Sequence, residues 1–251
     1  MIGRCNLCTE NKELQRVCHV IPDFFYRESN LYNENHNVTK LDLSTLLENN
    51  RIKIISKKQK TGEFDEYKLC KDCDCKIIGK YESYTREHLY SSKLPSNKRI
   101  LVENDPTAIR FKYLDYKIIK SLFLSILWRA DISDRKLFSE IDLGYKKEEI
   151  RKIILSGNPG SDIEFPIFFM NTAFDKSISK DYLFHPIKMK VGKEDGFMFA
   201  FGGMIIIYSL GIDGIDEKTL DYRLKEDGTF SFIKVPNGET WKLIKDWYKK
   251  K

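Results

Sequence analysis

Cys70-Lys71-Asp72-Cys73-Asp74 repeats, about 60 residues later, the spacing of Cys5-Asn6-Leu7-Cys8. Two residues between cysteines let both sulfurs of a pair face one point, and two such pairs complete a tetrahedral shell of four thiolates. That closed shell is the structural type of zinc site, so Cys5, Cys8, Cys70 and Cys73 are read as ligands of one Zn²⁺. The gap exceeds that of a short zinc ribbon, so folded chain is expected between the pairs. Four buried free cysteines are the bland alternative. Cys18 and Cys75 fall outside the pattern, and Cys75 is taken as a small buried hydrophobe.

Outward from the pairs, residues 28–50 are polar, rich in Asn and loop-like. Residues 51–58 partly alternate and read as a strand ending in a basic run. Thr61-Gly62 reads as a turn, and residues 64–69 as the partner strand. From Lys71 to Tyr90 the pattern is helical, with Ile77, Tyr81, Tyr84 and His88 three and four apart. Tyr81, Tyr84 and His88 are expected to pack this helix, and Glu82 to brace a nearby arginine or lysine. Residues 93–106 read as a linker. Beyond it Phe111, Leu114, Ile118, Leu122 and Ile126 repeat at helical spacing up to Trp128-Arg129, read as a core tryptophan and a capping arginine. Further helices are expected over 135–141 and 146–155, the latter stopped by Gly157-Asn158-Pro159-Gly160. Strands follow at 165–170 and 229–235, and a hairpin at 197–210 turns on Gly202-Gly203. An amphipathic helix carrying Trp241, Ile244 and Trp247 closes the chain.

The fold class expected is therefore α+β: a zinc-stapled module over residues 1–92, a linker over 93–106, and an α+β accessory domain over 107–251. The 251 residues carry a formal charge of +6 and 41% hydrophobic residues, enough to bury one good core or two small ones. That balance permits a nucleic-acid partner without requiring one. Residues 197–210 are too short to span a membrane, and the opening residues lack a leader's apolar core. A cytoplasmic, reducing location is expected, where cysteines bind metal rather than pair as disulfides.

Cys18-His19-Val20-Ile21-Pro22 lies ten residues after the first pair. A histidine on an apolar strand is most often a packed core residue. The order here is Cys-x-x-Cys, His-x-x-Pro, Asp65, a second Cys-x-x-Cys, then Asp74. It resembles the HNH nucleases, whose ββα-metal core often grows between two zinc knuckles. The resemblance covers roughly Cys5 to Glu82, and the wider run Cys5-Asn6-Leu7-Cys8, Leu14 and Cys18-His19-Val20-Ile21-Pro22-Asp23-Phe24-Phe25-Tyr26-Arg27 is similar to a bacterial subgroup of that family. It implies an endonuclease acting on DNA, with RNA left open. His19 falls on the general base. Asp65 falls on the middle position that orients it, and Asp74 on the position that holds a catalytic Mg²⁺ or Mn²⁺. Two positions depart from the family. Cys18 stands where a hard ligand usually precedes the base, which leaves it a tentative, soft ligand. Ile78 stands where a second helix ligand would fall, and Glu82 is expected about 12 Å along the helix from Asp74.

Arg51, Lys53, Lys57, Lys58 and Lys60 would neutralise phosphates or simply guard a strand edge. His36 and His185 carry no motif. The accessory domain could read a target, sense a ligand, form a homodimer or receive an activating partner. A zinc-stabilised nucleic-acid-binding or regulatory module with a decayed site is the alternative. A protein-interaction domain with an incidental knuckle is the third reading. Mobile elements or phage defence are the biological settings that analogy with the bacterial subgroup implies.

Overall fold

The computed structural model describes residues 1–29, 31–32, 37–42, 53–58, 61–90, 101–178 and 182–249. His36, Arg51, Lys60 and residues 93–100 of the expected linker lie outside them. Ile2–Arg4 (β1) and Asn11–Glu13 (β2) form a hairpin around the first cysteine pair. Cys18–His19 (β3) pairs antiparallel with Phe64–Asp65 (β6), and Asp23–Glu28 (α1) follows β3. Between them lie Asn37–Asp42 (β4) and Lys53–Lys58 (β5). After the second cysteine pair the chain coils as a π-helix over Asp72–Ile78, then as an α-helix over Gly79–Leu89 (α2).

The rest supplies a large sheet and its covering. Its strands are Leu101–Asn104 (β7), Ala108–Lys112 (β8), Ile167–Asn171 (β9), Tyr182–Phe184 (β10), Ile187–Val191 (β11), Glu194–Phe201 (β12), Met204–Ser209 (β13) and Phe230–Lys234 (β14). Helices are Tyr116–Asp131 (α3), Lys146–Ser156 (α4), Glu217–Leu220 (α5) and Thr240–Lys249 (α6). The sheet runs β5-β4-β10-β12-β13-β9-β14-β8-β7, with β11 also on β12.

Alternation along the strands sends successive side chains to opposite faces and so builds two cores. On β12, Phe197, Phe199 and Phe201 enter the larger core while Met198 and Ala200 enter the smaller. β13 divides likewise, Ile206 and Tyr208 against Ile205. Against the larger face lies α3, with Asp115 accepting from the Ile118 N–H at its N-terminus (3.1 Å). Its Phe123 ring meets Phe169 at 4.6 Å, and Tyr208 donates to the Phe123 carbonyl at 3.1 Å. α6 covers the other face with Ile244 and Tyr248. Gly202 and Gly203, at φ 59° and 76°, make the two-residue turn between β12 and β13.

The protein is thus mixed α/β around one large sheet, and its core does not divide at residues 93–106. β4 and β5, from the span between the cysteine pairs, join that sheet through parallel pairing of β4 with β10. The larger core runs from Cys5 to Phe230 without a break. Part of the expected linker is strand β7. Phe111 belongs to strand β8, not to the long helix, which starts only after Asp115. The helix expected over 135–141 is a 3₁₀ turn at Lys136–Phe138. The strand expected over 64–69 ends at Asp65, and Tyr67 takes a left-handed φ of 58° that no strand accommodates. β5 pairs with β4, inside the stretch read as loop, rather than with residues 64–69. Cys75 is exposed rather than buried. Among the described residues no helix is long and apolar enough to cross a membrane.

Candidate functional site

The first cysteine pair sits at the tip of the β1–β2 hairpin. There the Cys5 N–H donates to the Glu10 carbonyl (2.9 Å) and the Thr9 N–H to the Cys5 carbonyl (2.9 Å), while Thr9 turns left-handed at φ 65°. The second pair opens the π-helix, and Leu14 bridges in β fashion to Cys70. These two pieces bring the sulfurs of Cys5, Cys8, Cys70 and Cys73 within 4.8 Å of one another. Cys8 Sγ and Cys70 Sγ are 4.0 Å apart. A tetrahedral zinc with bonds near 2.3 Å needs sulfurs roughly 3.8 Å apart, so the donor set fits that ion in type and spacing. The Cys70 N–H also donates to Cys5 Sγ at 3.3 Å, as backbone amides do toward thiolates.

The thiols' own chemistry agrees. The Cys73 thiol donates to Cys5 and holds it down at about 4; the same contact, with burial, drives Cys73 up, while burial raises Cys8. Four thiols this close cannot ionise together unless a cation lies among them. Among the described residues they are the one group of three or more His, Cys, Asp or Glu side chains whose ligand atoms converge.

His19 lies on β3, its side chain half-buried at 27% exposure. Its Nε2 lies 2.5 Å from Thr61 Oγ1 and 4.0 Å from Asp23 Oδ1. Burial lowers its pKa, Asp23 opposes, and Arg129 and Arg27 add to the lowering, a balance that favours the uncharged ring. Asp23 follows Pro22 as the first residue of α1. Its carboxylate takes the Tyr32 hydroxyl (2.9 Å), the Gly62 N–H (3.3 Å) and Arg27 Nη2 (2.6 Å). Burial alone would raise Asp23, yet these partners hold it below the usual carboxylate range.

The backbone of His19 is gripped from far along the chain. Arg129, 3% exposed at its side chain, donates through Nη1 to the His19 carbonyl (2.6 Å) and to Glu82 Oε1 (3.0 Å), and through Nε to the Ser125 carbonyl (3.2 Å). It is a strut between α3, α2 and β3 rather than a helix cap, and it is the arginine that Glu82 braces. Asp74 lies within the field of the same arginine. Burial pushes its carboxyl up to about 6, with Arg129 opposing and Glu82 adding to the rise.

The structure does not bring Asp65 to the His19 ring. In the β3–β6 register Cys18 faces Asp65 and His19 faces Phe64, so the carboxylate is on the opposite side of the ribbon. Asp65 instead pairs with Arg135 at 3.7 Å. Cys18 shares that side, donating to the Gln15 carbonyl at 3.6 Å, and burial beside Asp74 pushes its thiol up to about 11. A protonated buried thiol is a poor ligand for Mg²⁺ or Mn²⁺. Among the described residues no third ligand joins it and Asp74. Ile78 is fully buried. The π-helix closes with an i→i+5 bond from the Gly79 N–H to the Asp74 carbonyl, so α-helical rise does not measure the separation of Asp74 and Glu82.

Sequence reasoning missed Asp23, Thr61 and Arg129. Asp23, four residues beyond His19 in the same motif, was the readable signal; Thr61 and Arg129 come from too far along the chain. The chain matches no family model, no curated protein and no solved structure.

Proposed function

We propose that this protein is an HNH-type endonuclease that hydrolyses phosphodiester bonds in DNA, with His19 as its general base. One observation carries the reading: a half-buried imidazole, tethered at one nitrogen by Thr61, on a two-stranded ribbon followed by a helix that opens at the second pair of a four-cysteine cluster. That order of strand, strand and helix, with the helix opened by the second cysteine pair, is what the sequence resemblance implies. Zinc at the four thiolates would staple β1–β2 to the start of the π-helix and so fix the ribbon's frame.

In this reading His19 takes a proton from water as the oxygen bonds to phosphorus. The bond to the 3′ oxygen breaks with its electron pair and that oxygen takes a proton, leaving a 5′-phosphate. A divalent Mg²⁺ or Mn²⁺ would offset charge on the phosphate and the leaving oxygen. Because Asp74 and Cys18 gather no third ligand for it among the described residues, the proton transfer at His19 is the one step assigned to this chain's residues. RNA is cleaved by the same chemistry if it fits, and a cytoplasmic role in mobile elements or phage defence is the setting that analogy implies.

The test incubates wild-type and His19→Ala protein with supercoiled plasmid in Mg²⁺, in Mn²⁺ and in EDTA. Nicking that needs the ion and falls by about 100-fold or more in the variant is the expected result. Nicking that persists in the variant would place the base elsewhere. The sparse hard ligands around Asp74 favour a second reading, a zinc-stabilised nucleic-acid-binding or regulatory module without catalysis. Salt-sensitive DNA binding without cleavage by folded, zinc-loaded protein would select it.

A further inference from the structure

The hydrogen bonds around Thr61 constrain where the proton of the His19 ring sits. Asp23 is an ionised acceptor whose Oδ1 already takes the Tyr32 hydroxyl at 2.9 Å and the Gly62 N–H at 3.3 Å, and Thr61 Oγ1 lies 3.5 Å from the same oxygen. A threonine hydroxyl has one proton to give. Three acceptors face it, His19 Nε2 at 2.5 Å, the Tyr32 hydroxyl and the Asp23 carboxylate, and the last, as the anion, draws it most strongly. Thr61 Oγ1 then meets His19 Nε2, 2.5 Å away, with a lone pair, and Nε2 must bring the hydrogen. A neutral imidazole with its proton on Nε2 has its free lone pair on Nδ1.

We propose that Asp23, acting through the Thr61 hydroxyl, is the positioning residue that fixes His19 in the Nε2-protonated tautomer and makes Nδ1 the atom that accepts the proton from water. The identity of the accepting atom does not depend on what His19 acts upon; the water and the phosphodiester rest on the nuclease reading. The water O–H bond breaks, its proton bonds to the Nδ1 lone pair, and the oxygen pair is released toward phosphorus. The imidazolium keeps its Nε2–H on Thr61, with Asp23 behind it, and later returns the Nδ1 proton to solvent. The charged groups acting on the ring are Asp23 and Arg27 from α1 and Arg129 from α3, and Asp23 is the sole anion among them. Gly62 seats the relay: a Cβ there would stand 2.4 Å from the Tyr26 ring, so the backbone that carries the Thr61–Gly62 contacts to Asp23 tolerates no side chain.

Long-range ¹H–¹⁵N correlation of the histidine rings in zinc-loaded, full-length protein reads the tautomer directly. The chain has four histidines, and loss of one signal set in His19→Gln assigns the ring. Wild type should show Nε2–H with Nδ1 unprotonated. Thr61→Val should release the ring to a mixture of tautomers and lower plasmid nicking by about 10–100-fold. Thr61→Ser, which keeps the hydroxyl, should restore both. Asp23→Asn, which can return a proton to Thr61, should populate the Nδ1–H form. A wild-type ring protonated on Nδ1, or a tautomer unmoved by Thr61→Val, overturns the proposal. The expected tautomers with no nicking in wild type would uphold the relay and overturn the nuclease reading.

Discussion

At the residue scale, the cluster of Cys5, Cys8, Cys70 and Cys73 was legible because metal geometry imposes a spacing that survives in one dimension. Removing one ligand tests their role. Cys70→Ser should lose the metal and unfold the surrounding hairpin, seen as a fall from one zinc per chain to none by elemental analysis. Cys75→Ser, an exposed position, should keep it. The role of Arg129 was not legible, since its contact with the His19 carbonyl spans 110 positions and no local pattern announces it. Truncating it strands a buried carbonyl and the Glu82 carboxylate together. Arg129→Met should cost about 3 kcal/mol, measured from the shift in urea midpoint. Asp65 went to Arg135 because a one-residue step along a strand changes the face, and the β3–β6 register is set by pairing that the sequence does not display.

Among the elements, the β12–β13 hairpin and helices α4 and α6 were readable from alternation and periodicity, with glycines marking the hairpin turn and the end of α4. The start of α3 was not. Phe111 and Leu114 continue its spacing by accident, while Tyr113 at φ 64° and the Asp115 cap break the chain between strand and helix. α3 also carries a buried cation. Lys120 donates to Tyr116 Oη (2.9 Å) and to the carbonyls of Ser161 (2.7 Å) and Glu164 (2.5 Å), pinning the loop after α4. Burial lowers its pKa to about 8 from 10.5. Between those values the unfolded chain binds a proton that the folded chain has released, so this group's contribution to stability grows as pH rises through the window. The difference in urea midpoint between wild type and Lys120→Met should therefore shift toward wild type from about pH 7.5 to about pH 9.5. A gap that moves the other way would show that the ammonium is held by its three acceptors more firmly than burial opposes it.

For the whole molecule, class and composition were legible, but the sharing of one sheet between the two halves was not. Local patterns identify strands and leave their partners open, and the parallel β4–β10 pair joins segments that neither periodicity nor turn chemistry connects. Phe25 of α1 touches both Phe123 and Phe201, which ties the cysteine module into the common core. The protein should therefore unfold in a single calorimetric transition, and a fragment of residues 1–92 should lack the β4–β5 hairpin's protection from hydrogen exchange. Two transitions would restore the division into separate domains. The same crossover bears on how the chain is made. The ribosome releases both cysteine pairs and the β4–β5 excursion between them well before Tyr182–Phe184 emerges. A metal bound at the four cysteines would shut that clasp early in synthesis, while the hairpin it encloses waits with an unpaired edge for the strand that will cover it. A nascent chain of this protein thus passes through a stage that is clasped at its base and still open to the wrong partner.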